Sequence, residues 1–142
     1  MFCIIKHYPV SLMLTMTIWV VCLIPLKENP LPDTRMADKW AHMAMYLVFT
    51  LAVWAEDVRQ KRRFRWTWLF VMGGILPVVM GGLVELAQAY FTGGQRNGDW
   101  LDFWADVIGV ALAWLVGLTV WLMTTRRKDE PAATNWRNDG RK

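Results

Sequence analysis

Four stretches of apolar residues, separated by short charged or proline-containing segments, dominate this sequence. They lie near residues 8–26, 40–58, 66–91 and 103–123. A helix needs about 20 apolar residues to cross a hydrocarbon layer of roughly 30 Å, and each stretch approaches or exceeds that length. The pattern predicts an all-α integral membrane protein with four antiparallel transmembrane helices.

The composition agrees with this fold class. The chain has 142 residues, of which 55% are hydrophobic and ten are tryptophan, and one small soluble core cannot hide so much apolar surface. Aromatic rings that favour the headgroup level fall near the predicted span ends, at Trp40, Trp66, Trp68, Tyr90, Trp100, Trp104 and Trp121. Trp19 and Trp114 fall in mid-span, where we expect them to pack between helices.

The distribution of Lys and Arg predicts the orientation. Lys6 precedes the first stretch, residues 59–65 between the second and third are strongly basic, and residues 126–128 are basic after the fourth. Positive residues near spans favour the cytoplasmic side, so both termini are predicted to be cytoplasmic. We interpret the net charge of +4 as this topology signal and expect no nucleic-acid partner.

The remaining segments define the domain boundaries. No small-x-small cleavage site follows the first stretch, so we interpret it as a retained anchor. Cys3 and Cys22 lie about 28 Å apart on one predicted helix, which excludes a disulfide between them. The transmembrane domain is predicted to cover residues 1–125, and residues 126–142 form a polar tail that we expect to be disordered.

Polar residues from three spans converge on the outer side of this topology. They are Asp38, Lys39 and His42 before and within the second span, Glu85 and Gln88 in the third, Arg96 and Asp99 in the loop, and Asp102 and Asp106 at the fourth. Counted from Phe91 and Trp100, Glu85 and Asp106 each lie six residues inward, which is about 9 Å of helix. The two carboxylates are predicted to face each other.

Buried carboxylates in a membrane need compensation, because an ionised one near the centre costs about 2.5–3.5 kcal/mol. The candidate cations are His42, Lys39 and Arg96. Neither cysteine is expected to lie near the polar cluster. Alternatively, the two carboxylates share one proton. Hydrogen bonds can come from Gln88, Tyr46 and Gln95.

A metal held by Glu85, Asp102, Asp106 and His42 is chemically feasible, but one histidine among carboxylates is a weak metal signature. We therefore predict no metal and no cofactor.

A second feature lies in the third stretch, where residues 73–82 contain four glycines and Pro77. Because proline frees a carbonyl one turn earlier, we predict a kink near Gly73.

The ordered set of polar motifs resembles the VanZ-like membrane proteins, over residues 38–117. The matching patterns are Asp38-Lys39-x-x-His42-x-x-x-Tyr46, Glu85-x-x-Gln88, Arg96, and Asp102-x-x-x-Asp106-x-x-Gly109. The family often has Asn where this chain has Asp106, which exchanges a neutral hydrogen-bonding group for one that can carry charge. The resemblance implies a ligand-binding site made of Asp38, Lys39, His42, Tyr46, Glu85, Gln88, Arg96, Asp102, Asp106 and Gly109.

The family's namesake is associated with low-level resistance to the glycopeptide teicoplanin. The resemblance thus implies a multi-pass protein of the bacterial cytoplasmic membrane. We expect a non-catalytic envelope protein whose outward polar pocket binds a membrane lipid headgroup, a lipid-linked cell-wall precursor or an amphiphilic antibiotic. The alternatives are an intramembrane enzyme acting on a lipid phosphate or ester, ion or proton movement, and a polar cluster that only clamps helices. The sequence leaves the oligomeric state open.

Overall fold

The computed structural model describes residues 7–24, 34–60, 65–91 and 100–129, and these residues are almost entirely helical. The helices are α1 (Pro9–Leu23), α2 (Thr34–Arg59), α3 (Trp66–Phe91) and α4 (Trp100–Asp129). Each one overlaps one of the predicted apolar stretches. The prediction of an all-helical fold is confirmed.

Two of the four helices are long and apolar enough to cross a membrane, judged by length and composition. They are α3 and the part of α4 that ends at Arg126. The first helix is apolar but has only 15 residues. The second has 26 residues but carries charged side chains toward both of its ends.

Two helices extend further than the apolar stretches that predict them. α2 begins at Thr34, before residue 40, and α4 continues to Asp129, past residue 123 and into the predicted polar tail. Hydropathy marks the apolar part of a helix, whereas the helical backbone can continue through polar residues until a cap or a helix-breaking residue ends it. The rest of the predicted tail lies outside the described residues.

Prolines limit α1 at both ends. Pro9 occupies the first turn, where its missing N–H removes no helical hydrogen bond. At the other end Ile24 is extended, with φ −66° and ψ 122°. Ile24 precedes Pro25 in the sequence, and a residue before proline is driven out of the helical region.

Consecutive helices run antiparallel, so the bundle has two distinct ends. At the His42 end, the starts of α2 and α4 meet the ends of α1 and α3. At the opposite end, which we call the Glu56 end, the starts of α1 and α3 meet the end of α2. The most extensive packing is between α2 and α4, and α1 packs on α2 and α3.

Aromatic rings fill the bundle between the centre and the Glu56 end. Trp54 of α2 packs edge-on against Trp114 of α4, with ring centroids 5.1 Å apart, and against Trp66 of α3 at 6.3 Å. Trp114 also contacts Phe70 of α3 at 5.8 Å. Trp114 therefore packs between helices, as its mid-span position predicts.

A π-helical turn interrupts α3 at Val71–Ile75, around the position where we predict a kink. Pro77 has no N–H to donate to Gly73, the residue one α-helical turn earlier. The indole Nε1 of Trp114 donates instead to the Gly73 carbonyl oxygen, at 2.8 Å. The proline in α3 thus leaves an acceptor for a side chain of α4.

Replacing Trp114 with phenylalanine should lower the free energy of unfolding by about 0.5–1.5 kcal/mol, because the Gly73 carbonyl loses this donor. Unfolding in mixed micelles measures the change. Trp104→Phe is the matched control, since Trp104 is 58% exposed. Equal effects of the two substitutions would contradict a role for the hydrogen bond.

Candidate functional site

Three helices bring one polar side chain each to a common point at the His42 end. His42 Nδ1 of α2 lies 3.1 Å from Asp106 Oδ1 of α4 and 3.9 Å from Glu85 Oε1 of α3. The exposed fractions of these residues are 1% for His42, 0% for Asp106 and 8% for Glu85. We call them the buried triad. As the sequence predicts, the two carboxylates lie close together, with the imidazole beside both.

Two glycines allow this arrangement. A Cβ on Gly109 of α4 would overlap the backbone carbonyl of Met43, so the backbones of α2 and α4 are in direct contact there. A Cβ on Gly81 of α3 would lie 2.7 Å from Asp106 Oδ2, so this glycine leaves room for the carboxylate. Gly109, a predicted ligand-binding position, therefore serves helix packing in the structure.

A more accessible charged group lies next to the triad, toward the starts of α2 and α4. Lys39 Nζ donates to Asp102 Oδ1 at 2.8 Å, and the Lys39 side chain is 23% exposed. Asp38 is half-buried beside them, and its carboxylate lies near both His42 and Asp102. Lys39, Asp38 and Asp102 form what we call the outer charged group, and its lysine compensates an aspartate.

The buried face of α2 continues inward from His42 with two hydroxyl groups. Tyr46 and Thr50 follow at intervals of four residues, which places all three on one side of the helix. Both are fully buried, at 0% exposure. Within the described part of the chain, neither Tyr46 Oη nor Thr50 Oγ1 has a hydrogen-bond partner. Tyr46 lies close enough to interact electrostatically with Asp106 and Glu85.

Gln88 connects the site region to α1. Its Nε2 donates to the backbone carbonyl of Cys22 at 2.9 Å, and both residues are buried. The expectation that neither cysteine lies near the polar cluster is wrong for Cys22, because α1 ends at the same level as α3. Gln88, predicted as a ligand-binding residue, thus makes a helix-to-helix hydrogen bond.

Some predicted residues fall outside the described part of the structure. They are Arg96, which belongs to the predicted site, together with Gln95 and Asp99 from the same loop. The structure therefore brings together nine of the ten predicted site residues, in the buried triad, in the outer charged group and in the helix contacts around them.

A second polar cluster lies at the Glu56 end, and the polar motifs of the sequence analysis do not include it. Glu56 is 7% exposed and accepts hydrogen bonds from Val10 N at 2.7 Å, Ser11 N at 3.2 Å and Ser11 Oγ at 2.5 Å. Beside it, Tyr8 Oη donates to Asp57 Oδ1 at 2.9 Å. The signal was available, because Glu56 lies in the apolar end of the second stretch as Glu85 lies in the third.

A cavity of about 390 Å³ lies between α2 and α4 toward this same end. Its lining is almost entirely apolar and includes Trp54, Val58, Val120 and Trp121, with Arg59 at its edge. The cavity and the buried triad are therefore at different places in the bundle. The triad can bind a cation, exchange a proton or hold helices together. The cavity lining has too few polar groups for any of these roles.

The structure defines a four-helix bundle with a buried histidine and two carboxylates at one end. No family model, no curated protein and no solved structure matches this chain. The resemblance to VanZ-like proteins rests on the sequence motifs alone.

Proposed function

We propose that this chain is a multi-pass membrane protein with four spans and both termini in the cytoplasm. The exposed surface supports this, because apolar side chains such as Met16, Val48, Leu83 and Leu115 are at least half exposed, one on each helix. Soluble monomers rarely expose large apolar side chains on every helix to water. Only 39% of the most apolar part of α3 and 22% of that of α4 are buried in the bundle, unlike the core helices of a soluble protein.

The topology has a direct test. Labelling of single cysteines in intact cells should show the loop around Arg63 on the cytoplasmic side and the loop around Arg96 on the outer side. An outer location for Arg63 would overturn the orientation, and with it the outward position of the polar site.

We further propose that the chain is a VanZ-like protein of the bacterial cytoplasmic membrane whose outward polar site binds the headgroup of an amphiphile. The observation that carries this proposal is the meeting of His42, Glu85 and Asp106 from three helices, with the more accessible Lys39–Asp102 pair beside them. Such a group offers both a cation for phosphate and carboxylates for amine or sugar hydroxyl groups. The apolar helix surfaces around it can accept an acyl chain.

The ligand class follows from this chemistry. A membrane lipid headgroup, a lipid-linked wall precursor and a lipoglycopeptide such as teicoplanin all combine an anionic or polar headgroup with an acyl or isoprenoid chain. The proposed role is binding without catalysis. A covalent mechanism with a hydroxyl or thiol nucleophile would need that group beside a base, and the oxygen that contacts His42 Nδ1 at 3.1 Å in the described part of the chain belongs to the Asp106 carboxyl group.

The purely structural alternative is favoured by one observation, the near-complete burial of His42 and Asp106. In that case the cluster clamps α2, α3 and α4 and no ligand enters. Interhelical hydrogen bonds in membranes contribute on average well under 2 kcal/mol each, about 0.6 in measured cases. The two proposals predict different effects of removing a carboxylate from a protein that stays folded. Protection against teicoplanin is lost if the cluster binds the ligand, and it is kept if the cluster only holds helices together.

The test is the teicoplanin sensitivity of a susceptible Gram-positive host that expresses this chain. We expect the wild type to raise the inhibitory concentration several-fold, and Glu85→Gln and Asp106→Asn to abolish the protection at equal membrane levels. Asp57→Asn, a carboxylate change at the Glu56 end, is the matched control and should keep it. Protection that survives both triad substitutions would favour the structural alternative, and no protection by a well-expressed wild type would remove glycopeptide tolerance from the proposal.

A further inference from the structure

The buried triad has the geometry of a set of metal ligands. His42 Nδ1 lies 3.1 Å from Asp106 Oδ1 and 3.9 Å from Glu85 Oε1, and the three ligand atoms all lie within 4.8 Å of one another. Nitrogen and oxygen ligands bind Zn²⁺ at about 2.0–2.2 Å, which places neighbouring ligand atoms about 3–4 Å apart. Small side-chain rotations would therefore be enough to place all three atoms around one ion.

The charges of the triad favour a divalent cation. Glu85 and Asp106 together carry two negative charges when ionised, and burial of each charge costs several kcal/mol unless it is compensated. A protonated His42 would balance one of the two. Among the described residues, the other candidate cation, Lys39, pairs with Asp102 at 2.8 Å, and Arg96 lies outside that part of the chain. An ion of charge +2 would balance both carboxylates and leave the imidazole neutral, which is its metal-binding form.

Unused polar atoms around the triad are an independent sign of a ligand. In the described part of the chain, Asp106 Oδ2, His42 Nε2 and Tyr46 Oη are buried and have no hydrogen-bond partner. Buried polar groups without partners are rare in native proteins and call for an unseen water or ion. Tyr46 follows His42 by four residues and therefore lies on the same side of α2. A Cβ on Gly81 would lie only 2.7 Å from Asp106 Oδ2, so this glycine lets the Asp106 carboxylate reach its buried position.

We propose that His42, Glu85 and Asp106 bind one divalent transition-metal ion inside the helix bundle, through Nδ1 and one oxygen of each carboxylate. One imidazole and two carboxylates without a thiolate suit Zn²⁺ and Mn²⁺. The sequence analysis considers His42, Glu85 and Asp106 among feasible metal ligands but expects no metal, and the structure adds the spacing of their ligand atoms across three helices. The proposal does not depend on the envelope role.

The test uses the full chain in detergent micelles, stripped with a chelator and titrated with Zn²⁺. We expect the wild type to bind one ion per chain, and His42→Gln, Glu85→Gln and Asp106→Asn each to weaken binding by at least about tenfold. Zn²⁺ should also raise the thermal unfolding midpoint of the wild type, since a ligand that binds only the folded state stabilises it. Co²⁺ in place of Zn²⁺ should give a visible absorption spectrum that Asp106→Asn changes.

Two control variants separate this site from its neighbours. Glu56→Gln removes a buried carboxylate at the other end of the bundle and should leave Zn²⁺ binding unchanged. Asp102→Asn removes the carboxylate of the outer charged group and should also keep it, within about threefold. Loss of binding in Asp102→Asn with retention in Glu85→Gln would move the ion to the outer group and overturn the proposal. Absence of binding by the wild type, or equal binding by all variants as an adventitious ion only, would overturn it as well.

Discussion

Replacing Gly109 with alanine should destabilise the helix bundle by about 2–4 kcal/mol. A Cβ at this position would overlap the Met43 carbonyl and lie 3.1 Å from Leu47 N. Both are backbone atoms of α2, which cannot rotate away as a flexible side chain can. The two helices must therefore move apart, and packing along the α2–α4 contact is lost. Unfolding in mixed micelles, followed by circular dichroism, measures the effect.

Gly82→Ala is the matched control, because a Cβ there meets only the Phe103 ring at 3.7 Å. Alanine is the better helix former by about 0.5–1 kcal/mol, so this variant should be neutral or slightly more stable. The two glycine substitutions are thus expected to have opposite signs. A Gly109→Ala protein as stable as Gly82→Ala would show that α2 and α4 do not contact at this glycine.

The same glycine also positions the site. Asp106 precedes Gly109 by less than one helical turn, and His42 directly precedes Met43. The close backbone approach therefore helps to set the 3.1 Å distance between His42 Nδ1 and Asp106 Oδ1. This explains how Gly109 can belong to a functional sequence motif without offering a ligand atom.

Much of this architecture could be predicted from the sequence because its causes are local. Runs of apolar residues predict helices, and antiparallel succession places the end of α3 beside the starts of α2 and α4. Counting residues from Phe91 and Trp100 then puts Glu85 and Asp106 at one level. In the structure α3 ends at Phe91 and α4 begins at Trp100. The depth estimate therefore correctly places Glu85 and Asp106 beside each other.

The pairing of individual side chains could not be predicted, because it depends on how each helix is rotated about its axis. Lys39, for example, pairs with Asp102 of another helix. The sequence predicts Gln88 as part of the polar site, but its Nε2 donates to the backbone carbonyl of Cys22. This contact depends on where α1 ends. It could not be predicted, because hydropathy does not fix the last residue of a helix.

The contacts at the Glu56 end could not be predicted from the sequence either. Glu56 is the acceptor for the start of α1, a helix that begins 45 or more residues earlier in the chain. Nothing within α1 predicts this, because Tyr8 before it makes no side-chain cap. Helices normally satisfy their first N–H groups with a local side chain or water. Here the acceptor comes from a different helix, so a local search for a cap finds none.

Replacing Glu56 with alanine should lower the free energy of unfolding by about 2–4 kcal/mol. The carboxylate accepts from Val10 N, Ser11 N and Ser11 Oγ, and hydrogen bonds to a charged group contribute about 1.5–3 kcal/mol each without being additive. Loss of the anion also removes a favourable interaction with the positive end of the α1 dipole. The start of α1 should then detach from α2, which unfolding in mixed micelles will register.

A local measurement distinguishes detachment of α1 from general destabilisation. Cys22 is fully buried, with 0% exposure, and should react with a maleimide only when α1 leaves the bundle. In a Cys3→Ser background we expect Glu56→Ala to speed this reaction at least about tenfold. Ser11→Ala removes only one hydroxyl donor. It should lower the free energy of unfolding by about 0.5–1.5 kcal/mol and change the labelling rate little. If Glu56→Ala and Ser11→Ala behaved alike in both measurements, the carboxylate could not be what holds α1 in place. A large effect confined to Glu56→Ala would mean that one side chain from α2 attaches the first helix to the other three.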